Sequence, residues 1–323
     1  MGRRYLVTGG AGFIGSNFIR HLFTNEPEAT VTNLDALTYA GVPATVAELD
    51  EHANHNFVKG DIRDPELVEE VMPGHDVVVH FAAESHVDRS IVGPAPFLET
   101  NFVGTGVLLD SALHNDVPRF IHVSTDEVYG SLPTGSATED DPLDPSSPYS
   151  SSKAGSDLLA RSYHVTYGYD VVVTRCTNNY GPYQFPDKII PLFVTNLLEG
   201  KKVPLYGEGV NERDWLHVED HCAALHLLVD KATPGEMYNI GSGAQLTNLE
   251  LTRAILEHLD LDESSIEFVP DRLGHDLRYA LDSSKIEALG WSPGHDFKSG
   301  LGDTIRWYQE RLDWWEPLKR ESS

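Results

Sequence analysis

Tyr149 and Lys153 stand four residues apart in the run Tyr149-Ser150-Ser151-Ser152-Lys153. In a helix that spacing puts both on one face. An ammonium beside a phenol can lower its pKa from the ordinary value near ~10, leaving a phenolate able to take a proton from a hydroxyl group. The pattern recurs by chance, so its weight comes from its position after a glycine-rich turn and after a segment ending in Ser124-Thr125. That segment, Ser124-Thr125-Asp126-Glu127-Val128-Tyr129-Gly130, adds two adjacent carboxyl groups. Oxidising or reducing an alcohol needs only a base and a hydroxyl donor, which Tyr149 and Thr125 would supply. Two further carboxyls imply more proton traffic: one can remove a carbon-bound proton while the other, kept protonated, donates to a departing hydroxyl. Without its flanking residues the pair would read better as ordinary loop acids of an acidic chain.

The glycine-rich turn is Val7-Thr8-Gly9-Gly10-Ala11-Gly12-Phe13-Ile14-Gly15, which satisfies both GxxGxxG and GxGxxG. Absent side chains allow a sharp turn and let a pyrophosphate approach backbone N–H groups at a helix N-terminus. Asp35 follows Gly15 by 20 residues, at the end of a second strand-like segment. A carboxylate there can accept hydrogen bonds from the adenosine ribose. It would repel a 2′-phosphate, and Ala36-Leu37-Thr38 offers no basic residue to receive one, so the expected cofactor is NAD. Asp61-Ile62 could hold the adenine edge, although Asp61 or Asp64 could equally cap a helix.

These residues need a scaffold. Strand-like segments at Tyr5–Thr8, Thr30–Leu34, Asn56–Lys59, Asp76–Phe81, Arg119–Ser124 and Tyr169–Arg175 alternate with helix-like ones at Gly12–Thr24, about 95 to 115 and Ser150–Tyr167. Runs such as Val77-Val78-Val79 and Val171-Val172-Val173 suit strands covered on both faces. The fold expected is α/β, a doubly wound parallel (Rossmann) sheet with a smaller C-terminal substrate-binding lobe. Residues 1–180 would form the nucleotide-binding domain and 181–323 mainly the substrate lobe. A later segment near 214–230 reads as a strand edge and a helix returning to the sheet. Arg320 to Ser323 reads as a frayed tail.

Composition narrows the function classes. The 24 Lys and Arg against 50 Asp and Glu leave a net charge of −26. Such a surface repels nucleic acid, so an anionic ligand must be held locally by helix N-termini and a few placed basic residues. The acidity is either a solvated surface that aids solubility or an adaptation to a high-salt cytoplasm. Cys176 and Cys222 are too few for a disulfide framework and suit a reducing compartment. Neither a secretion signal nor an apolar run of the ~20 residues that span a bilayer is visible. The expectation is a soluble, cytoplasmic protein without a membrane partner. Of 15 histidines, only His52 and His55 form even a weak metal-type pair, so no metal is expected. Trp314-Trp315 reads as packing.

The chain also resembles the dTDP-glucose 4,6-dehydratases, a family of extended short-chain dehydrogenases. The likeness rests on the glycine turn, on Phe81-Ala82-Ala83-Glu84-Ser85-His86-Val87-Asp88-Arg89-Ser90, on Ser124 to Gly130 and Tyr149 to Lys153. It extends to Asn178-Asn179-Tyr180-Gly181-Pro182-Tyr183-Gln184 and to Asp271-Arg272-Leu273-Gly274-His275-Asp276-Leu277-Arg278-Tyr279. The resemblance implies a catalytic set of Thr125, Asp126, Glu127, Tyr149 and Lys153. It implies cofactor contacts at Gly9, Gly12, Phe13, Ile14, Gly15, Asp35, Ala36, Leu37, Thr38, Asp61, Ile62, Ala82, Ala83, Thr100, Tyr149, Lys153 and Asn179. Contacts to the sugar nucleotide would be Ser85, His86, Thr125, Asn178, Lys188, Ile189, Pro204, Tyr206, Arg213, Asn248, Arg272 and His275. Lys188, Arg213 and Arg272 are cations in a base-poor chain, suited to a diphosphate. The reaction implied is oxidation at C4, loss of water across C5 and C6, and reduction at C6. A homodimer through the helices at about 95 to 115 and 150 to 167 is a further implication. A 4-epimerase or decarboxylase on the same scaffold is the nearest alternative, and a non-catalytic NAD-binding regulator a more distant one.

Overall fold

The computed structural model describes residues 2–271 and 274–321. Arg272, expected at the sugar nucleotide, lies outside the described residues.

Strands β1 (Arg4–Thr8), β2 (Thr30–Asp35), β3 (His55–Lys59), β4 (Val77–His80), β5 (Arg119–Thr125) and β6 (Val171–Cys176) come first. They are followed by β7 (Asn178–Tyr180), β8 (Val203–Tyr206), β9 (Glu212–His217), β10 (Met237–Ile240), β11 (Gln245–Thr247) and β12 (Ile266–Val269). Seven of them form a wholly parallel sheet in the order β10-β6-β5-β4-β1-β2-β3. The valine runs behave as strand periodicity requires, sending alternate residues to opposite faces. Tyr5, Val7, Val77, Val79, Ile121 and Val172 enter one core with Phe18 and Leu225. Leu6, Val78, Phe120, Val171 and Val173 enter the other, with Leu108 and Leu109. The sheet is therefore covered on both sides, as the expected α/β fold demands.

Strand order reverses between β1 and β4. The crevice at such a reversal, outside the strands' carboxyl ends, is where doubly wound sheets bind ligands. The glycine turn after β1, the Phe81–His86 segment after β4, Thr125 at the end of β5 and Cys176 at the end of β6 all open onto it.

Three differences from the sequence reading have physical causes. The helix expected over about 95 to 115 is a short turn, Ala95–Phe97, then a π-helical stretch, Leu98–Gly104, then the helix Thr105–His114. Hydrophobic periodicity does not distinguish a π segment from an α one, and such segments favour functional sites. The helix expected from Ser150 starts at Pro148, because Ser147 and Ser150 cap it reciprocally and proline suits the first helical position. The strand read near 214, β9, sits between β11 and β7 in a separate three-stranded sheet. The Val218–Lys231 helix that follows packs on the Phe13–Asn25 helix of the main sheet, which is completed by β10.

A second core region, apart from the two faces of the main sheet, belongs mostly to residues beyond β6, with Val42 joining it. It gathers Phe193, Val194, Leu205, Trp215, Leu251, Ile255, Leu301, Tyr308, Trp314 and Trp315. The two tryptophans are buried, Trp315 Nε1 donating to Tyr308 O at 2.8 Å. The terminal helix Leu312–Glu321 that carries them runs past Arg320, where the sequence suggested fraying. Burial of Trp314 and Trp315 holds its start; Arg320 is exposed, and Ser322 and Ser323 lie outside the described residues.

Candidate active site

A cavity of about 860 Å³ lies between the sheet's carboxyl edge and the second core. Its floor is the glycine turn. Gly9 has φ +73°, and a Cβ there would meet the Ala82 amide nitrogen at 2.6 Å; one on Gly15 would meet Gly9 O at 2.4 Å. The backbones of the β1 turn and the β4 exit thus approach as only glycine permits.

Asp35 is buried, with Oδ2 accepting from Ala11 N at 3.0 Å and Oδ1 from Leu37 N at 2.7 Å. Burial pushes its pKa up, and the two amides oppose that shift. Ala36 and Thr38 line the cavity, whereas Leu37 does not: the Leu37 amide is spent on Asp35. Leu37 also turns the chain with φ 52°, which takes it away from the wall. The ambiguity at Asp61 is resolved by geometry. Asp64 caps the Pro65–Val71 helix, and Asp61 stays at the cavity, paired with Arg63 at 2.6 Å.

At the far end of β5, Thr125 caps the 3₁₀ turn Asp126–Tyr129, its Oγ1 accepting from Glu127 N at 3.3 Å. Thr125 Oγ1 also donates to Asp126 Oδ1 at 3.2 Å. Asp126 is buried, and burial, reinforced by the Glu127 charge, holds its carboxyl well above the usual range. A carboxyl so placed is protonated at neutral pH and can donate.

Tyr149 sits in the first turn of the Pro148–Tyr167 helix, anchored by its amide to Ser90 Oγ at 3.2 Å. Here the structure corrects an expectation. Lys153 Nζ donates to Val123 O at 2.8 Å, and the Tyr149 phenol is held well above its ordinary pKa by burial and by Glu127. Desolvation acts first and the Glu127 charge second, while the Thr125 hydrogen bond opposes them. Lys153 itself is lowered to about 8 by burial, against the favourable charge of Asp157.

Asn101, in the π-helical stretch, joins these parts. It accepts from Glu84 N at 2.8 Å and donates to Glu84 O and to Ser152 Oγ, each at 2.9 Å. The β4 exit is thereby tied to the helix that carries Tyr149 and Lys153. Thr100, its neighbour, lines the cavity.

The remaining expected residues converge too. Phe13, Ile14, Ile62, Ala82, Ala83 and Asn179 line the cavity, as do Ser85, His86, Asn178, Lys188, Ile189, Pro204, Tyr206, Arg213, Asn248 and His275. Lys188 Nζ donates to Ser85 O at 3.0 Å. Arg213 donates to Asp276 O and lies 4.3 Å over the Tyr279 ring. Sequence reasoning passed over Tyr39, Cys176, Asp187 and Tyr279, which also line the wall. Asp187 is adjacent to Lys188, and Tyr279 closes a motif already singled out; a charge beside a chosen cation was the available signal. Of the His52 and His55 pair, His52 stacks on Phe23 and His55 bridges Asp50 and Asn33. Elsewhere His217, Glu219 and His295 approach one another within 4.8 Å. There His217 Nδ1 accepts from Glu219 N, His295 Nδ1 pairs with Asp220, and His295 Nε2 lies 3.4 Å from Glu219 Oε2.

A family model described as GDP-mannose 4,6 dehydratase matches residues 6–304. The chain is 56% identical to a dTDP-glucose 4,6-dehydratase of Streptomyces antibioticus, over 98% of this chain and 95% of that protein. This chain belongs to the dTDP-glucose 4,6-dehydratase family. Another relative, the low-salt glycan biosynthesis protein Agl12 of Haloferax volcanii, is 54% identical over 94% of this chain and 97% of its own. Among solved structures, DesIV, a dTDP-glucose 4,6-dehydratase from Streptomyces venezuelae with NAD and TYD bound, superposes with a TM-score of 0.95. It is 56% identical and covers 98% of this chain and 99% of its own. A UDP-glucose 4-epimerase from Thermotoga maritima has a TM-score of 0.89 at 30% identity, covering 96% and 99%. The scaffold is thus common to dehydratases and epimerases, and what separates them must lie in the side chains of the site.

Proposed function

We propose that this chain removes water from dTDP-glucose in an NAD-dependent reaction, giving dTDP-4-keto-6-deoxyglucose. The observation that carries the reading is Asp126, a buried carboxyl held in its acid form beside Glu127 and facing the same cavity as Thr125 and Tyr149. Plain oxidation or epimerisation has no use for such an acid; expulsion of a hydroxyl has.

The glycine cradle fits a dinucleotide, since any Cβ at Gly9 or Gly15 would fill the space beside the backbone. Asp35, with no basic neighbour in Ala36-Leu37-Thr38, suits the unphosphorylated ribose of NAD. When bound, NAD supplies the acceptor, and later the donor, of a hydride. The protein's own groups move the protons. Tyr149 takes the proton of the 4-hydroxyl once its phenol has ionised, which the positive nicotinamide ring of bound NAD would favour against the burial that holds the proton on, with Thr125 hydrogen-bonding the oxygen and Lys153 contributing its charge. The 4-ketone acidifies the C5 proton, and Glu127 removes it. Asp126 donates to the 6-hydroxyl, and water departs. Lys188 and Arg213 are the described cations placed for the diphosphate.

The same reading makes residues 1–180, with the later elements that return to the sheet, the cofactor domain, and the rest mainly the substrate lobe. It also includes a homodimer. Leu98, Phe102 and Val103 on the π-helical stretch and Leu158, Val165 and Tyr167 on the Pro148–Tyr167 helix are exposed apolar side chains on adjacent elements. Sedimentation at micromolar concentration should give twice the chain mass. No described helix is long and apolar enough to cross a membrane, and the reading places the enzyme in the cytoplasm. The deciding experiment incubates purified protein with dTDP-glucose and NAD. A product lighter by one water, with the alkaline absorbance of a 4-keto sugar, is expected; unchanged substrate or its 4-epimer would overturn the reading.

A further inference from the structure

One helical turn beyond Lys153 lies Asp157, so that Tyr149, Lys153 and Asp157 form a stripe with a spacing of four along one helix. Asp157 is 1% exposed and is held by two other elements. Arg175 Nε on β6 donates to its Oδ2 at 2.9 Å, and His122 Nε2 on β5 lies 3.3 Å from its Oδ1. Arg175 also donates to the Tyr129 hydroxyl at 2.7 Å, and that hydroxyl donates to Asn239 on β10 at 2.9 Å. The reaction scheme above uses none of these groups. A buried ion pair is seldom more stabilising than apolar residues of the same volume, so packing alone does not account for this one.

The charges around Lys153 suggest what it does. His80 on β4 and His122 on β5 are neutral, burial lowering both, His122 to about 4. The Cys176 thiol on β6 is pushed up to about 12 by burial and is neutral as well. Tyr149, on the same helix, keeps its proton, and Asp126 and Glu127 on the 3₁₀ turn act on Tyr149. Arg175 is cationic but tied to Asp157. Asp157, whose carboxyl is held below its ordinary range by His122 and Arg175 against the cost of burial, is the ionised carboxylate acting on Lys153.

We propose that Asp157 is a positioning residue for the reaction: clamped by Arg175, with the His122 ring beside it, its carboxylate keeps the Lys153 side chain an ammonium beside Tyr149. The proposal rests on the dehydratase reading for its effect on turnover, but not for its effect on Lys153. Both effects can be measured. With [ε-¹³C]lysine in the full-length protein, the Lys153 resonance is assigned by its loss in Lys153→Arg and followed between about pH 6 and 10. In Asp157→Asn, loss of the negative charge disfavours the ammonium, so the midpoint should fall by about one unit or more. The alkaline limb of kcat should move down by the same amount. At pH near 8, the wild-type midpoint, a one-unit fall is about a fivefold loss of kcat with KM unchanged, rising toward about tenfold at higher pH and recovered as the pH is lowered. An unchanged Lys153 midpoint overturns the proposal. So does a loss of activity uniform across pH, which is what a merely structural role predicts. Because Asp157→Asn leaves a buried guanidinium unpaired, Asp157→Asn/Arg175→Gln, which removes both charges, is measured alongside and should shift Lys153 in the same direction. If Lys153 shifts but the wild-type protein does not dehydrate dTDP-glucose, the functional reading fails while the role of Asp157 stands.

Discussion

The two carboxyls of the Asp126-Glu127 pair have different surroundings, and this predicts different failures. Asp126 is sealed and protonated, so Asp126→Asn should keep C5 exchange with solvent deuterium while losing water about 10²-fold more slowly. Glu127→Gln should still oxidise C4 but take up no deuterium at C5. Mass spectrometry of recovered sugar nucleotide separates the two. Normal exchange in Glu127→Gln would move the base elsewhere, with His86 the first candidate. Asp35 has two duties. Asp35→Ala should narrow the preference for NAD over NADP, measured by binding titration. It should also cost about 1–3 kcal/mol of stability, because the amides of Ala11 and Leu37 lose their acceptor. The residue types at these positions were legible in the sequence. Their charge states were not, since burial sets them: Tyr149 was expected to ionise easily beside Lys153, and the surrounding protein holds its proton on.

Among the elements, the Pro148–Tyr167 helix carries most of the chemistry, and its start is fixed by a reciprocal cap between Ser147 and Ser150. Ser147→Ala should cost about 1 kcal/mol in denaturant unfolding. Because Tyr149 lies within that first turn, kcat should fall more than KM rises; an unchanged kcat would show that the turn is held by its neighbours alone. The Pro-Tyr-Ser-Ser-Ser run was read as a helix from Ser150, two residues late, because serine is a poor helix former by propensity and its value as a cap depends on geometry. The π-helical stretch at Leu98–Gly104 was similarly hidden. Its apolar periodicity is that of a helix, and only the contacts of Asn101 with Glu84 and Ser152 give it a role.

For the whole molecule, the net charge of −26 and the buried neutral histidines set opposite trends with solution conditions. If the acidity is an adaptation to high salt, the melting temperature should climb steeply as KCl rises from dilute to molar, because screening relieves self-repulsion. A flat curve would return it to an ordinary solvated surface. His122 and His217 are lowered to about 4 and His221 to about 3, all chiefly by burial. Each binds fewer protons folded than unfolded, so its stabilisation is complete above the unfolded value near ~6.5 and is lost as pH falls toward the folded values. Calorimetry in molar KCl, where repulsion is screened, should show the melting temperature falling from about pH 6.5 to 4; a rise over that range would contradict the burial of these rings. By itself the sequence determined the parallel sheet and the glycine cradle, because periodicity, glycine and spacing are local and need no partner; the residues that the family resemblance assigned to the site line the cavity, apart from Leu37 and from Arg272, which lies outside the described residues, together with many others that it did not name. Only the tertiary structure decided the sheet to which β9 belongs, the closure of the main sheet by β10 and the charge cluster of Asp157, Arg175 and His122. Those are contacts between residues from 18 to more than 60 positions apart in the chain, and no local pattern encodes which distant group a side chain will meet or how much water will be left beside it.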